Sequence, residues 1–339
     1  MLIFTLFRPY SLTLRLSVSL DPIRALIADD FAAVDVTIRK RLDSDVVLVR
    51  QVAEYIVDGG GKRLRPALLL LASGACGYRG SHHHELAAVI EFIHTATLLH
   101  DDVVDESDLR RGRQTANAVF GNAASVLVGD FLYSRAFQMM VAIQNIRVMD
   151  VLADATNTIA EGEVMQLLNI HDADVAEEAY LAVIRRKTAK LFEAAACLGA
   201  VLSDAPRGIE EGFATYGMHL GTAFQLVDDV LDYSGDLQAT GKNLGDDLSE
   251  GKPTLPLIYA MKRGSRAQAA VVRNAIERGG RDDFAPVLEA IRATGALEFA
   301  RAQARREAAS ACDALTLVSD SKYRQSLLDL ATFAAERNY

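Results

Sequence analysis

Residues 91–112 read EFIHTATLLHDDVVDESDLRRG. An apolar run ends in Asp101, Asp102, Asp105 and Glu106, and Arg110 and Arg111 follow at once. Like charges at this density repel one another. On a helix, positions i and i+4 share a face. Asp101 and Asp105 then point the same way, about one turn apart, and raise each other's pKa unless a cation intervenes. Upstream, Ile90, Ile93, Thr97 and Leu98 recur at helical spacing. The stretch therefore predicts a helix over roughly 84–105, about 33 Å long at 1.5 Å per residue, with an acidic last turn.

The same acid spacing returns in FQLVDDVLDY, where Asp228, Asp229 and Asp232 again follow an apolar run. One such cluster alone reads more readily as a solvated helix end than as a site. Two with matched spacing favour a site in which the helices face each other across a cavity. Burying several carboxylates costs several kcal/mol per ion without a partner. Hard oxygen ligands without thiolate select Mg²⁺ or Mn²⁺ over zinc, and Mg²⁺ usually shares its shell with substrate phosphate.

The rest of the chain suits a helical frame for such a site. No proline falls between 67 and 205, and interior proline costs a helix about 3 kcal/mol. The windows NAASVLVGDFLYSRAFQMMVAI (122–143) and KTAKLFEAAACLGAVL (187–202) are alanine-rich, and Val126, Tyr133, Phe137 and Met140 recur at helical spacing. No period-2 alternation persists. The expected fold is all-α, with breaks at 59–62, near Gly80, near Asn145, at 203–207, at 235–251 and at 278–281. With 339 residues, half of them hydrophobic, one domain over 21–339 is the simplest account.

Residues 1–20 carry two arginines and no acid. Two readings compete for this stretch, a targeting segment and a disordered or mis-called start. With no basic region ahead of the apolar run and Pro9 inside it, the second reading is preferred. With 36 basic against 45 acidic residues, general nucleic-acid binding is disfavoured. No apolar run approaches a membrane span. Cys76, Cys197 and Cys312 are scattered, which argues against a disulfide framework and for a reducing cytoplasm.

Basic residues gather around both acid clusters. GGGKRLRP (59–66) places Lys62, Arg63 and Arg65 after three glycines, where backbone can approach an anion and arginine forks suit phosphate. It is not a Walker loop. Arg110 and Arg111 follow the first cluster, and Lys187, Lys242 and Lys252 flank the later helices. His94, seven residues before Asp101, is read either as a core histidine or as a diphosphate hydrogen-bond donor. His82, His83 and His84, beside Gly80, are expected in an exposed loop with no metal role.

In order along the chain, GGGKRLRP, EFIHTATLLHDDVVDESDLRRG, KTAKLF, GTAFQLVDDVLDY and GDDLSEGKPTLP resemble the motifs of the trans-type isoprenyl diphosphate synthases, over about residues 22–339. The chain looks closest to the long-chain bacterial branch. The resemblance implies a terpenoid-synthase helical bundle around an apolar cavity, a homodimer, and about three Mg²⁺ ions, replaceable by Mn²⁺. It implies sequential condensation of isopentenyl diphosphate onto an allylic diphosphate such as farnesyl diphosphate. The implied product is octaprenyl diphosphate for a membrane quinone such as ubiquinone, with hexaprenyl to decaprenyl lengths as alternatives.

By motif position, Asp101, Asp105 and Asp228 would bind metal, supported by Asp102, Asp229 and Asp232. Lys62, Arg65, His94 and Arg111 would hold isopentenyl diphosphate. Arg110, Lys187, Thr188, Gln225, Lys242 and Lys252 would hold the allylic diphosphate. The growing tail would pass the small residues Ala96 and Thr97, with a floor among Phe131, Tyr133 and Phe137, each of which also reads as ordinary core.

Three rival readings fit these residues less well. A class I terpene cyclase would not need GGGKRLRP and Arg111. A catalytically silent subunit would be expected to lose acidic or basic motif residues, and none is lost. A ferritin-like di-iron protein needs two ExxH pairs, whereas the sequence holds only Glu91–His94.

Overall fold

Helix forms throughout the proline-free, alanine-rich segments. The computed structural model describes residues 19–57, 59–110, 112–234, 244–280 and 282–338. The first helices are α1 (Asp21–Leu26), α2 (Ala28–Arg41), α3 (Val47–Val57), α4 (Leu64–Ala75) and α5 (His82–Val104). A short hairpin, β1 (Leu109–Arg110) against β2 (Arg113–Gln114), interrupts them. The chain continues through α6 (Ala116–Phe120), α7 (Asn122–Ala142), α8 (Ile146–Asn169) and α9 (Glu177–Ile184). Arg185–Ala189 form one π-helical turn that runs into α10 (Lys190–Leu202). Then come α11 (Arg207–Ser234), α12 (Asp246–Ser249), α13 (Leu255–Arg263), α14 (Arg266–Arg278), α15 (Phe284–Thr294), α16 (Ala296–Ala314) and α17 (Lys322–Glu336).

Helix α10 is the centre of the bundle. It is buried at every position from Ala194 to Val201, as a helix apolar on all sides must be. Glycine permits that depth. A Cβ on Gly199 would lie 2.5 Å from the Ala72 Cβ on α4, and one on Gly217 of α11 would overlap the Phe192 carbonyl. The main core joins α2–α5, α7, α10, α11 and α17, while a second apolar cluster lies under α13–α15. Asn145 caps α8, its Oδ1 accepting from the backbone N–H groups of Arg147 and Val148 at 2.9 and 3.3 Å.

The all-α expectation holds, with three local corrections. The 109–114 segment is a hairpin, because Gly112 at φ +74° allows a tight turn. On α7 the expected apolar stripe of Val126, Tyr133, Phe137 and Met140 divides between two faces. Met140 is buried, but Val126 and Phe137 are 37 % and 42 % exposed. The inward face carries Val128, Leu132 and Met139 among the small residues Ala124, Ser125, Gly129 and Ala136, and a Cβ on Gly129 would overlap the His100 ring of α5. Finally, His82–His84 open α5, and His83 and His84 are half-buried against α2. Ser81 and Glu85 flank the run as a helix start, a signal that the loop reading passed over.

Leu20 already belongs to the core. Residues 1–18 lie outside the described residues.

Candidate functional site

A cavity of about 680 Å³ opens between α5, α8, the π turn, α11 and α12, a size that suits a small-molecule site. The α5 wall presents His94, Thr97, Asp101 and Asp105, which the 3.6-residue repeat places on one side. Asp102 turns away. It is 2 % exposed and accepts hydrogen bonds from Arg110 Nε at 2.8 Å and Nη2 at 2.6 Å. Arg110 itself lines the cavity, so Asp102 holds a cation at the rim.

Opposite, α11 presents Gln225, Asp228, Asp229 and Asp232. The three aspartates have different partners. Asp229 is buried and accepts from Tyr180 Oη at 2.5 Å and from Gln225 Nε2 at 2.8 Å. Asp232 accepts from the backbone N–H groups of Asp246 and Asp247 at 3.2 and 3.3 Å, fastening α12 to the wall. Asp228 Oδ1 accepts from Arg337 Nη2 at 2.6 Å.

The π turn supplies Lys187 and Thr188. A Cβ on Gly162 of α8 would lie 2.6 Å from the Lys187 backbone nitrogen, so only glycine there lets the turn sit so close. Lys187 Nζ lies 2.5 Å from Glu163 Oε2 and 3.6 Å from Asp101 Oδ2. Lys252 Nζ lies 2.9 Å from Asp105 Oδ2 and also pairs with Glu250. Thr188 Oγ1 donates to Gln225 Oε1 at 3.1 Å. At the other end Lys62 and Arg65 line the cavity. Arg65 Nη1 lies 3.2 Å from His94 Nε2. Arginine can only donate, so Nε2 accepts and the ring proton sits on Nδ1.

The structure thus brings fourteen of the expected residues to one cavity: Lys62, Arg65, His94, Thr97, Asp101, Asp105, Arg110, Lys187, Thr188, Gln225, Asp228, Asp229, Asp232 and Lys252. Asp102 is adjacent but not in the wall. Ala96 is fully buried, and Phe131 and Tyr133 pack partly buried against the core. Phe137 instead lines a second, mainly apolar pocket with Met140 and Ile146. Arg111 and Lys242 lie outside the described residues.

Sequence reasoning missed several wall residues: Glu163 and Gln166 on α8, Tyr180, and Arg337 near the C-terminus. Asp246 and Asp247 stood inside the quoted GDDLSEGKPTLP stretch, and their pairing was a signal available to find them. Nothing local marks Arg337, which is 5 % exposed and stacks 3.9 Å over the Phe224 ring.

Burial dominates the electrostatics. It raises Asp101, with Asp105 adding to the rise and Lys187 opposing it. Burial lifts Glu163 to about 7, helped by Asp101 and opposed by Lys187. Asp229 is pushed up to about 8 by burial and by Asp247, while Tyr180 and Gln225 pull it down. Lys187 and Lys252 are raised, because the surrounding carboxylates outweigh burial.

A raised acid holds a proton when folded that it has lost when unfolded. Without metal, the stability due to Asp229 is therefore present at low pH and lost as pH rises from about 4 to about 8. Asp229→Asn is expected to flatten that decline and to raise the metal-free melting temperature at the alkaline end. Thermal unfolding followed by circular dichroism in chelator tests it; superimposable profiles would assign the proton elsewhere.

Chemically, the site offers an oxygen-only donor set on two facing walls and cations at several points. That set fits a hard divalent ion shared with a polyanion, and among the described cysteines none lines it.

Comparison with known proteins agrees. A family model described as polyprenyl synthetase matches residues 46–292. Octaprenyl diphosphate synthase of Escherichia coli (strain K12) is 54 % identical over 321 residues, covering 94 % of this chain and 99 % of its own. An all-trans-nonaprenyl-diphosphate synthase (geranyl-diphosphate specific) of Rhodobacter capsulatus is 46 % identical over 316 residues, 93 % of this chain and 97 % of its own. Among solved structures, a polyprenyl synthase from Caulobacter crescentus, complexed with calcium and isoprenyl diphosphate, superposes with a TM-score of 0.93. It is 43 % identical, covering 96 % of this chain and 100 % of that one.

Proposed function

The chain belongs to the polyprenyl synthetase family and is a prenyltransferase that makes long-chain trans-polyprenyl diphosphates, and on that premise we propose that it extends farnesyl diphosphate with isopentenyl diphosphate to octaprenyl diphosphate. The observation that carries the reading is the pairing of the two charge sets. Lys187 sits on Asp101, Lys252 on Asp105 and Arg337 on Asp228. Such a wall is primed for exchange. Acids released from their cations can take metal, and the cations can take diphosphate.

Asp101, Asp105 and Asp228 are proposed to hold about three Mg²⁺ ions, with Mn²⁺ as a substitute. Bound metal would neutralise the diphosphate as it leaves. Asp229 and Asp232 support the α11 wall through Tyr180, Gln225 and α12, and Asp102 supports Arg110. Arg110, Lys187 and Lys252, with Lys242, grip the allylic diphosphate, so its C–O bond breaks with the electron pair going to the leaving group. Lys62, Arg65 and His94, with Arg111, hold isopentenyl diphosphate with its double bond beside the allylic carbon. The Thr188 and Gln225 oxygen dipoles face the developing cation. The new C–C bond forms, and the released diphosphate takes the departing proton. Phe192 and Phe224 in the wall exclude water that would quench the cation.

The homodimer belongs to this proposal. Leu127, Val141, Ile146, Val164, Leu167 and Leu168 are between 56 % and 81 % exposed on α7 and α8, a patch that a second copy would cover. Among the described residues no helix is long and apolar enough to cross a membrane. The three free cysteines support placing the enzyme in a reducing cytoplasm, delivering its product to the membrane for a quinone side chain.

Incubation with farnesyl diphosphate, labelled isopentenyl diphosphate and Mg²⁺, followed by chromatography of the dephosphorylated products, tests the reading. Octaprenol is expected as the main product. A different dominant length would overturn the chain-length proposal. A cyclic hydrocarbon without label would favour a class I cyclase.

A further inference from the structure

The proposed reaction makes no use of a second cluster of ligating side chains. Asp30 stands in the first turn of α2, and His83 and His84 stand in the first turn of α5. His84 Nε2 lies 2.9 Å from Asp30 Oδ1, and His83 Nε2 lies 3.3 Å from the same oxygen. One ligand atom from each residue falls within 4.8 Å of the other two. The imidazole rings are tilted by 36° with centroids 3.9 Å apart.

We propose that Asp30, His83 and His84 form a transition-metal site, of the class that takes Zn²⁺, which clamps α2 to the start of α5. The spacing supports it. Ligands at 2.0–2.1 Å around a tetrahedral zinc stand about 3.3 Å from one another, close to the two separations seen. The donor set is also selective. Two imidazoles and one carboxylate suit zinc, nickel or copper, whereas Mg²⁺ wants oxygen. The site therefore discriminates against the ion proposed for the cavity.

The surroundings hold the ligands without closing the site. The side chains of His83, His84 and Asp30 are 13 %, 23 % and 32 % exposed, which leaves room for a water as fourth ligand. The Tyr78 ring packs edge-on to His83 at 5.3 Å, and Arg41 of α2 pairs with Glu85 of α5 at 3.3 Å. Both ligand-bearing elements are therefore fixed. Burial and the neighbouring His84 lower the His83 pKa, while Asp30 opposes the shift. A neutral imidazole with a lone pair to give is the form a metal needs. Two helix N-termini meet here and their dipoles oppose a cation. Asp29 and Glu85, also in first turns, work against that field.

A metal here would act on the frame. His84 and Asp101 stand seventeen positions apart on α5, about 26 Å at 1.5 Å per residue. Fixing the first turn of α5 would leave the acidic last turn chemically untouched while resisting separation of α2 from α5.

The test uses tag-free, metal-stripped full-length protein, equilibrated with Zn²⁺ in a large excess of Mg²⁺ so that carboxylate sites are filled. One Zn²⁺ per chain is expected to be retained. His84→Ala is expected to weaken retention at least about 100-fold, beyond the 10–100-fold typical of losing an outer-shell partner. Asp30→Asn, which keeps size and a hydrogen-bonding group, should do the same if His84→Ala folds poorly. Co²⁺ in place of Zn²⁺ should give visible absorption of tetrahedral type in the wild type only. Polyprenyl synthesis should be unchanged in both variants. Failure of the wild type to retain Zn²⁺, or retention as tight as wild type by the Asp30→Asn and His83→Ala/His84→Ala variants, would overturn the site and leave a hydrogen-bonded cluster.

Discussion

Asp101→Ala is expected to lower turnover by about three orders of magnitude at saturating substrate and Mg²⁺. Losing a group that stabilises charge in a transition state typically costs 10²–10³, and here the loss also removes half of the α5 acid pair. Asp101 lines the cavity and lies 3.6 Å from Lys187. With it gone, Lys187 is still held by Glu163 at 2.5 Å, so the loss falls on the acid wall rather than on the lysine. The fold should survive. The carboxylate is raised by burial, so removing it relieves a cost, and the metal-free melting temperature should hold or rise. Steady-state assays with labelled isopentenyl diphosphate, alongside circular dichroism, decide the matter. Turnover within tenfold of wild type would sink the metal assignment.

Ala96→Tyr is expected to move the product distribution from long chains to short ones while leaving turnover within a small factor of wild type. Ala96 lies five residues before Asp101 on α5 and is fully buried; its neighbour Thr97 is in the cavity wall. A tail leaving the aspartates along α5 must pass this level. A phenol ring there would stop it after few additions, long before the diphosphate end is disturbed. Overpacking a filled core commonly costs 1–3 kcal/mol, so the melting temperature should fall, and product length must be read at a temperature where the variant is folded. Chromatography of dephosphorylated products gives the readout. An unchanged length distribution would mean that the tail takes another path.

Much of this was legible from spacing. The i, i+4 aspartates and the glycines before Lys62 declare which side chains share a face, and a helix delivers them to one wall. What spacing cannot declare is which partner a face meets. Asp102 sits between two cavity residues in sequence, yet its side chain goes to Arg110. Phe137 and Val126 read as core by period, but both stay substantially exposed among the described residues. Arg337 joins the site from the far end of the chain, through a contact with Asp228 that no local pattern encodes. The histidine run was misread because a polar triplet resembles a loop until α2 is placed against it.

The π turn at Arg185–Ala189 has a consequence for how this chain can change. It holds one residue more than an α-helical turn would, so everything after it is rotated by about 100° relative to everything before. The orientation of Lys187 and Thr188 towards the cavity is thus stored as a count of residues. Point substitutions can drift around it, but a single deletion there would re-phase α10 against its neighbours and swing the lysine off its mark at one stroke. Over descent, the length of this segment should be guarded more strictly than its spelling.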